Sequence, residues 1–360
     1  MATESQGERL TPNDALALLE RADLWDLAAR ADAACRRLHP EPWRSFAIDR
    51  NINFTNVCSC RCLFCAFWRP PGDPEAYVLG EEAVARKIEE AVALGATHIL
   101  MQGGIHPDLD LGFYEAMLGR IRDRFGVAIH AFSPPEIWAL AAREGLPVEC
   151  VLERLRAAGL GSLPGGGAEI LVERVRRIIS PHKCAAEQWL AVMRAAQRLG
   201  MPTTATMVFG HVETLAERVE HLGRIRGLQD EALAEGRPPF RSFIAWPFQA
   251  GRTRLAESGL LGPAWQPTSG IEYLRTLAVA RLFLDNVPNV QASWVTMGPK
   301  IGQLALAFGA SDLGSTMIEE NVVAAAGCVH RASPESLRAL IRAAGYEPRR
   351  RDCYYEIVGG

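Results

Sequence analysis

The sequence predicts an α/β protein, a (β/α)8 TIM-like barrel preceded by a helical extension, on three observations. Eight short apolar runs of β type follow one another at 46–54, 97–101, 127–132, 160–163, 203–209, 241–248, 290–296 and 312–318. Most are separated by stretches with the apolar spacing of amphipathic helices. The one loop dense in cysteine follows the first run, where a barrel places its chemistry at the C-terminal ends of its strands. Eight β-then-α units in about 300 residues fit a parallel (β/α)8 barrel. An open six-strand form of the same barrel is the alternative, because the runs at 160–163 and 312–318 carry the least strand character.

The helices can be placed in order. A first helix starts at Thr11-Pro12, with Asp14 behind it, and runs to about Arg37. A capping hydroxyl, a proline in the first turn and an acid near the N-terminus all favour that start. Between 81 and 94, Val84, Ile88 and Val92 recur every four residues, and Gly95 can cap the end. Further helices are expected at 112–124, 187–199, 214–228, 273–284 and 334–344. The expected division is a helical extension over residues 1–40 and a barrel with its C-terminal segment over 41–360. The run Cys353-Tyr354-Tyr355-Glu356-Ile357-Val358 suits either a strand closing the barrel bottom or an interface edge.

Composition narrows the function. Lys and Arg number 39 against 42 Asp and Glu, a net charge of −3. That balance argues against a bulk nucleic-acid or anionic-membrane binder. The first nine residues are polar with no signal core, and no run of about 18 apolar residues exists. Nine cysteines, an odd number, are not spread as a disulfide framework. A cytoplasmic enzyme with no membrane insertion is the expectation.

The chemistry concentrates at Cys58, Cys62 and Cys65, spaced C-x3-C-x2-C, with Phe64 before the last. Three close thiolates suit a 4Fe-4S cluster with one iron left open. Zinc is the competing reading, since Cys60 adds a fourth sulfur. A structural zinc site wants a second close pair of Cys or His, and none follows Cys62 and Cys65. Cys60 is read as a bystander or an exchangeable ligand.

Loops after the later strands supply the other candidates. The second strand ends Gln102-Gly103-Gly104, where glycine lets backbone approach a ligand. Ser133, in Ser133-Pro134-Pro135-Glu136, either caps a helix or touches substrate. Pro164-Gly165-Gly166-Gly167-Ala168-Glu169 ends in a carboxylate suited to a ribose diol, or is a plain turn. His211 and Glu213 are candidate acid–base groups, although Glu213 equally suits the N-terminus of the next helix. Trp246 ends the sixth strand with Phe248 and Gln249 and can line a pocket for an aryl group. Arg241, Arg252 and Lys300 are candidate partners for a substrate carboxylate.

These residues resemble one family. The segments Asp49-Arg50-Asn51-Ile52-Asn53-Phe54-Thr55-Asn56-Val57-Cys58 and Ala131-Phe132-Ser133-Pro134-Pro135-Glu136-Ile137 are similar to the radical S-adenosylmethionine (SAM) enzymes of the futalosine route to menaquinone. So are 164–171, 205–214 and Ile318-Glu319-Glu320-Asn321-Val322-Val323, and the resemblance spans about 49–356. The cyclic dehypoxanthinyl futalosine synthase family is the nearest in pattern, through Val172-Glu173-Arg174-Val175-Arg176 and Trp246-Pro247-Phe248-Gln249. Aminofutalosine synthase and the deazaflavin-cofactor synthases share much of it.

The resemblance implies a radical SAM barrel whose open iron binds SAM. It implies cofactor contacts from Phe64, Gln102, Gly103 and Gly104, with Ile105 standing where that family type often has an acid. It implies an adenine-contacting segment at Val208, Gly210 and Glu213, with Thr206 in place of its first glycine. The implied reaction takes hydrogen from C4′ of a nucleoside-derived substrate and closes a spirocycle on the neighbouring ring. An external one-electron donor is implied as partner. A zinc-stabilised binding protein is the reading from a different class.

Overall fold

The computed structural model describes residues 9–359. The barrel is closed, and every strand pair around it is parallel. Strand β1 (Trp43–Ala47) and its continuation β2 (Asn51–Ile52) form the first run. Strand β2 pairs with β3 (His98–Met101), and β3 with β4 (Ala128–Ala131). From β4 the ladder narrows to single bridges: His130 to Ser162, then Leu163 to Thr203. Strand β5 (Thr203–Phe209) continues to β6 (Phe240–Pro247), β7 (Asn289–Gln291) and β8 (Asp312–Ser315), and β8 returns to β1. The run at 160–163 is therefore the fourth of eight staves, reduced to two bridged residues. The six-strand alternative does not hold.

The first run breaks because Asp49 turns inward. It is buried against His98, 3.3 Å away, and accepts from Ser315, whereas Arg50 reaches out to Glu90 and Glu319. Ser45 pairs with Asp312 and Ala47 with Ser315, so β8 carries one extra residue there, at Gly314 with φ +88°. The expected strand at 290–296 ends at Gln291, and Trp294–Met297 is a helical turn.

The single N-terminal helix is two. Thr11 and Asp14 form the capping box of Pro12–Arg21. Asp23 then accepts from the Trp25 and Asp26 amides and starts Leu24–Leu38. Both helices lie outside the barrel, tied down where Arg275 donates to the Leu18 and Ala22 carbonyls and Arg226 to Leu10. Residues 1–8 of the expected extension, with the polar N-terminal segment, lie outside the described residues. The helices expected at 81–94, 112–124, 187–199 and 334–344 appear within one residue of their ends; those expected at 214–228 and 273–284 run over Leu215–Ala234 and Gly270–Phe283. Further helices (Pro134–Glu144, Val148–Ala158, Glu173–Ile179 and Pro299–Ala305) and short helical turns at Arg254–Glu257 and Val322–Ala325 fill the connections.

The C-terminal segment closes the barrel bottom. Strand β9 (Glu347–Arg350) pairs in parallel with β1, and Arg351 bridges back to Ile357. Buried Arg351 then reaches into the barrel and donates to Asp312 at 2.6 and 2.9 Å. Above that layer Gln291 accepts from Arg351 and Tyr355 and forms part of the floor of the cavity at the mouth. No helix among the described residues is long and apolar enough to cross a membrane.

Candidate active site

At the mouth lies a cavity of about 270 Å³. The loop after β2 forms one wall and is fixed by its backbone. The Cys58 amide donates to Arg69, Ser59 to Ile105, and Leu63 to Ile179. Trp68 Nε1 donates to the Cys62 carbonyl at 3.1 Å. Arg61 at the loop tip is left-handed, φ +49°. Cys58, Cys60, Cys62 and Cys65 all line the cavity.

The donor set fits an iron–sulfur cluster. Among the described residues no three His, Cys, Asp or Glu side chains converge on a single-ion position. A cubane takes one thiolate per iron, so its sulfurs stand further apart than those around one tetrahedral zinc. The Cys60 thiol beside Cys58, helped by the Ile105 backbone and opposed by burial, lowers Cys58 to about 6. Burial pushes Cys62 up to about 12 and raises Cys65. These thiols give up protons when metal binds.

The glycines after β3 serve this loop. A Cβ on Gly104 would stand 2.2 Å from the Val57 carbonyl oxygen and 2.9 Å from the Cys58 Cβ; one on Gly103 would meet the Phe54 ring at 2.6 Å. The glycines at 165–167 likewise let the loop press on β5, Gln102 and Pro135.

Eleven expected residues line this one cavity: Cys58, Cys62, Cys65, Phe64, Gln102, Gly103, Gly104, Ser133, Glu169, Val208 and Trp246. Glu169 is held at φ +40° by Lys183 at 3.0 Å and Arg176 at 3.7 Å, and its Oε2 is buried without a hydrogen-bond partner. An uncommon backbone conformation and an acceptor without a hydrogen bond thus coincide at one residue of the lining. Ser133 takes the cap position of Pro134–Glu144, but its hydroxyl donates to Glu136 Oε2 at 2.5 Å.

Six expected residues lie elsewhere. His211 and Glu213 are sealed from the cavity, with fully buried side chains. His211 Nε2 meets the Val208 carbonyl at 3.0 Å and Nδ1 the Val212 amide at 2.8 Å. Glu213 accepts from the Gly210 and His211 amides and from Arg218. The pair ties the loop after β5 together, and Thr214 caps the following helix instead. Gly210 packs against Thr268 and accepts from Trp265. Arg241 opens β6 at the opposite end of the barrel from the mouth, and Lys300 is exposed on the outer helix Pro299–Ala305. Arg252 is exposed too, outside the cavity lining.

Three charged lining residues escaped the sequence reading. Glu136 accepts from the Gly103 amide at 3.1 Å and from Ser133. Burial pushes its carboxyl up to about 8 against those two hydrogen bonds. Glu320 accepts from Asn51 and from the Val322 and Val323 amides, and burial raises it. Lys183 is the one cation in the lining and stands 5.0 Å from the Phe64 ring centroid. Glu136 and Glu320 sat within quoted motifs. Lys183 falls in an irregular stretch between helices, where no periodicity marks it.

Comparison with known proteins decides the assignment. Residues 52–225 match the Radical SAM superfamily and residues 237–359 the CofH/MqnC C-terminal region. A cyclic dehypoxanthine futalosine synthase of Halalkalibacterium halodurans is 46% identical over 98% of this chain and 92% of its own. This chain belongs to the radical SAM superfamily. It is a radical SAM enzyme of the cyclic dehypoxanthine futalosine synthase type, working with a 4Fe-4S cluster and SAM. A synthase of the same name from Streptomyces coelicolor is 43% identical over 97% of this chain and 86% of its own. An aminodeoxyfutalosine synthase of Thermus thermophilus is 38% identical over 98% and 93%. Among solved structures, the hydrogenase maturase HydG of Carboxydothermus hydrogenoformans superposes with TM-score 0.76 at 15% identity, covering 97% of this chain and 78% of that one. That likeness shows the shared barrel of this radical SAM enzyme.

Proposed function

We propose that this radical SAM enzyme converts dehypoxanthine futalosine to its cyclic product by C4′ hydrogen abstraction and spirocyclisation. The near-full-length match to the cyclising synthases carries the reading, and the cavity supports it. When bound, the cluster and SAM supply a 5′-deoxyadenosyl radical. Cys58, Cys62 and Cys65 are the proposed cluster ligands, with Glu169 Oε2 as acceptor for a ribose hydroxyl.

The opposite wall suits the rest of such a substrate. Trp246, Phe248 and Trp294 offer apolar faces to an aryl ring. Asn51, Asn53, Ser293 and Thr296 offer neutral hydrogen bonds to a sugar. Holding the carbon to be activated against the ring is most of what the protein must do. Restoring the ring's aromaticity removes one electron, which passes to a one-electron acceptor, and one proton, which needs a base. Glu136 takes that role in place of His211 and Glu213, because it lines the cavity and burial pushes its carboxyl up to about 8.

The second reading is the aminofutalosine synthase reaction, favoured by the shared cysteine and loop motifs and by the match at 38% identity to the Thermus thermophilus synthase. Anaerobically reconstituted enzyme, given each of the two substrates with SAM and reductant, separates them by product mass. A cyclic product two hydrogens lighter than dehypoxanthine futalosine is expected, one hydrogen leaving in 5′-deoxyadenosine and one as the ring proton. An adduct carrying the adenosyl group, formed only from the enolpyruvyl ether substrate, would overturn the proposal.

A further inference from the structure

The outer face of the cysteine loop carries charge that the cavity does not use. Ser59 and Arg61 are exposed at the loop tip, directly over buried Cys60 and Cys62. The segment 252–255 lies against the same loop, because the Leu255 amide donates to the Leu63 carbonyl at 2.8 Å. It brings two more exposed arginines, Arg252 and Arg254. Arg254 stacks 4.3 Å over Trp68, the residue that holds the Cys62 carbonyl. On the other side, Cys60 Sγ meets the carbonyl of exposed His182 at 3.5 Å.

None of Arg61, Arg252 and Arg254 has an ion-pair or hydrogen-bond partner among the described residues. Some other exposed arginines are paired, as Arg154 with Glu115, Arg174 with Glu217 and Arg124 with Glu89, and others, as Arg86 and Arg198, have no such partner among the described residues but stand apart on outer helices; these three share one face. Two exposed acids, Asp108 and Glu257, flank the arginine group. A protein of net charge −3 thus gathers three unpaired guanidinium groups around the loop that carries Cys58, Cys62 and Cys65. Unpaired charge of one sign on a small face steers a partner of the other sign.

We propose that this face, rimmed by Arg61, Arg252 and Arg254, is the docking surface for an acidic one-electron carrier protein. The carrier gives up one electron and the oxidised cluster gains it; no bond or proton moves. Electron-transfer encounters are small, transient and salt-sensitive, which suits a rim of three charges rather than a large apolar patch. The inference rests on the radical SAM assignment and not on the choice of substrate.

The test uses an acidic flavodoxin as the probe, with holoenzyme of the native sequence and the R61E, R254E and R61E/R254E variants. Arg198, exposed at the end of helix Ala186–Arg198 far from the mouth, gives the charge control R198E. Binding is read by calorimetry, and SAM cleavage is read with either reduced flavodoxin or dithionite. The double variant should bind flavodoxin at least about tenfold more weakly, as should the native protein when salt is raised from about 50 to 300 mM. Flavodoxin-driven cleavage should fall in parallel, dithionite-driven cleavage and cluster content should hold, and R198E should behave as native. Unchanged binding in the double variant overturns the docking surface. Equal loss with both reductants also overturns it, by assigning the arginines to the site rather than to the carrier.

Discussion

Two buried carboxylates show how environment separates roles that residue type does not. Glu213 is enclosed by backbone amides, His211 and Arg218. Burial alone would raise it, but His211 and then Arg218 outweigh burial and hold it well below its ordinary 4.5. Its contribution to stability is therefore complete above that value and is lost as pH falls below it. Replacing it with Gln leaves Arg218 only Glu272, at 2.7 Å, as a charged partner. E213Q should lower stability by about 1–3 kcal/mol near neutral pH and flatten the acid side of the stability curve, read from urea midpoints across pH. Glu136 faces the cavity and has no cation bonded to it, so burial dominates. As the proposed base it must be ionised, and turnover should rise with pH through about 8. E136Q should lose that rise and slow product formation by about 10²-fold or more, while 5′-deoxyadenosine still forms. Equal loss of both would show that Glu136 serves cofactor binding instead.

At the scale of elements, the glycines divide by what stands where a Cβ would be. A methyl at Gly104 meets backbone of the cysteine loop, which cannot move without moving Cys58. G104A should cost about 1–3 kcal/mol and reduce iron content on reconstitution. Gly119, within helix Leu111–Phe125, has nothing within 4 Å, and G119A should stabilise by about 0.5–1 kcal/mol with full iron content. Chemical denaturation and iron analysis of the two variants check both. The strands and most helices were legible because their period is local. The stave at 162–163 was legible only as a weak run, since two bridged residues carry almost no pattern. The break at Ala22–Asp23 was hidden because apolar spacing continues across it and only the Asp23 side chain interrupts the helix. The site was legible where glycines and cysteines mark it. It misled at His211 and Glu213, whose types suit catalysis but whose atoms are engaged within their own loop and by Arg218 of the next helix.

Across the whole molecule, mouth and bottom are joined by one buried polar layer. Arg351 arrives from the end of the chain and meets Asp312 on β8, which also accepts from Ser45 on β1 and from the Gly314 amide. Neither side chain is more than 6% exposed. The pair staples the C-terminal hairpin to the two strands that complete the circuit, and Arg351 also supports Gln291 in the cavity floor. Removing one partner strands the other in a dry interior. R351M should destabilise by about 3–5 kcal/mol, and D312L alone by a similar amount. The double variant R351M/D312L removes both charges together. It should lose much less than the sum of the two, because most of each single cost is the charge left behind rather than the attraction lost. A double-mutant cycle on urea midpoints measures that difference. Additive losses would mean that Arg351 holds the hairpin through packing against Tyr355, 3.8 Å beneath its guanidinium, and that the ion pair contributes little to closing the barrel.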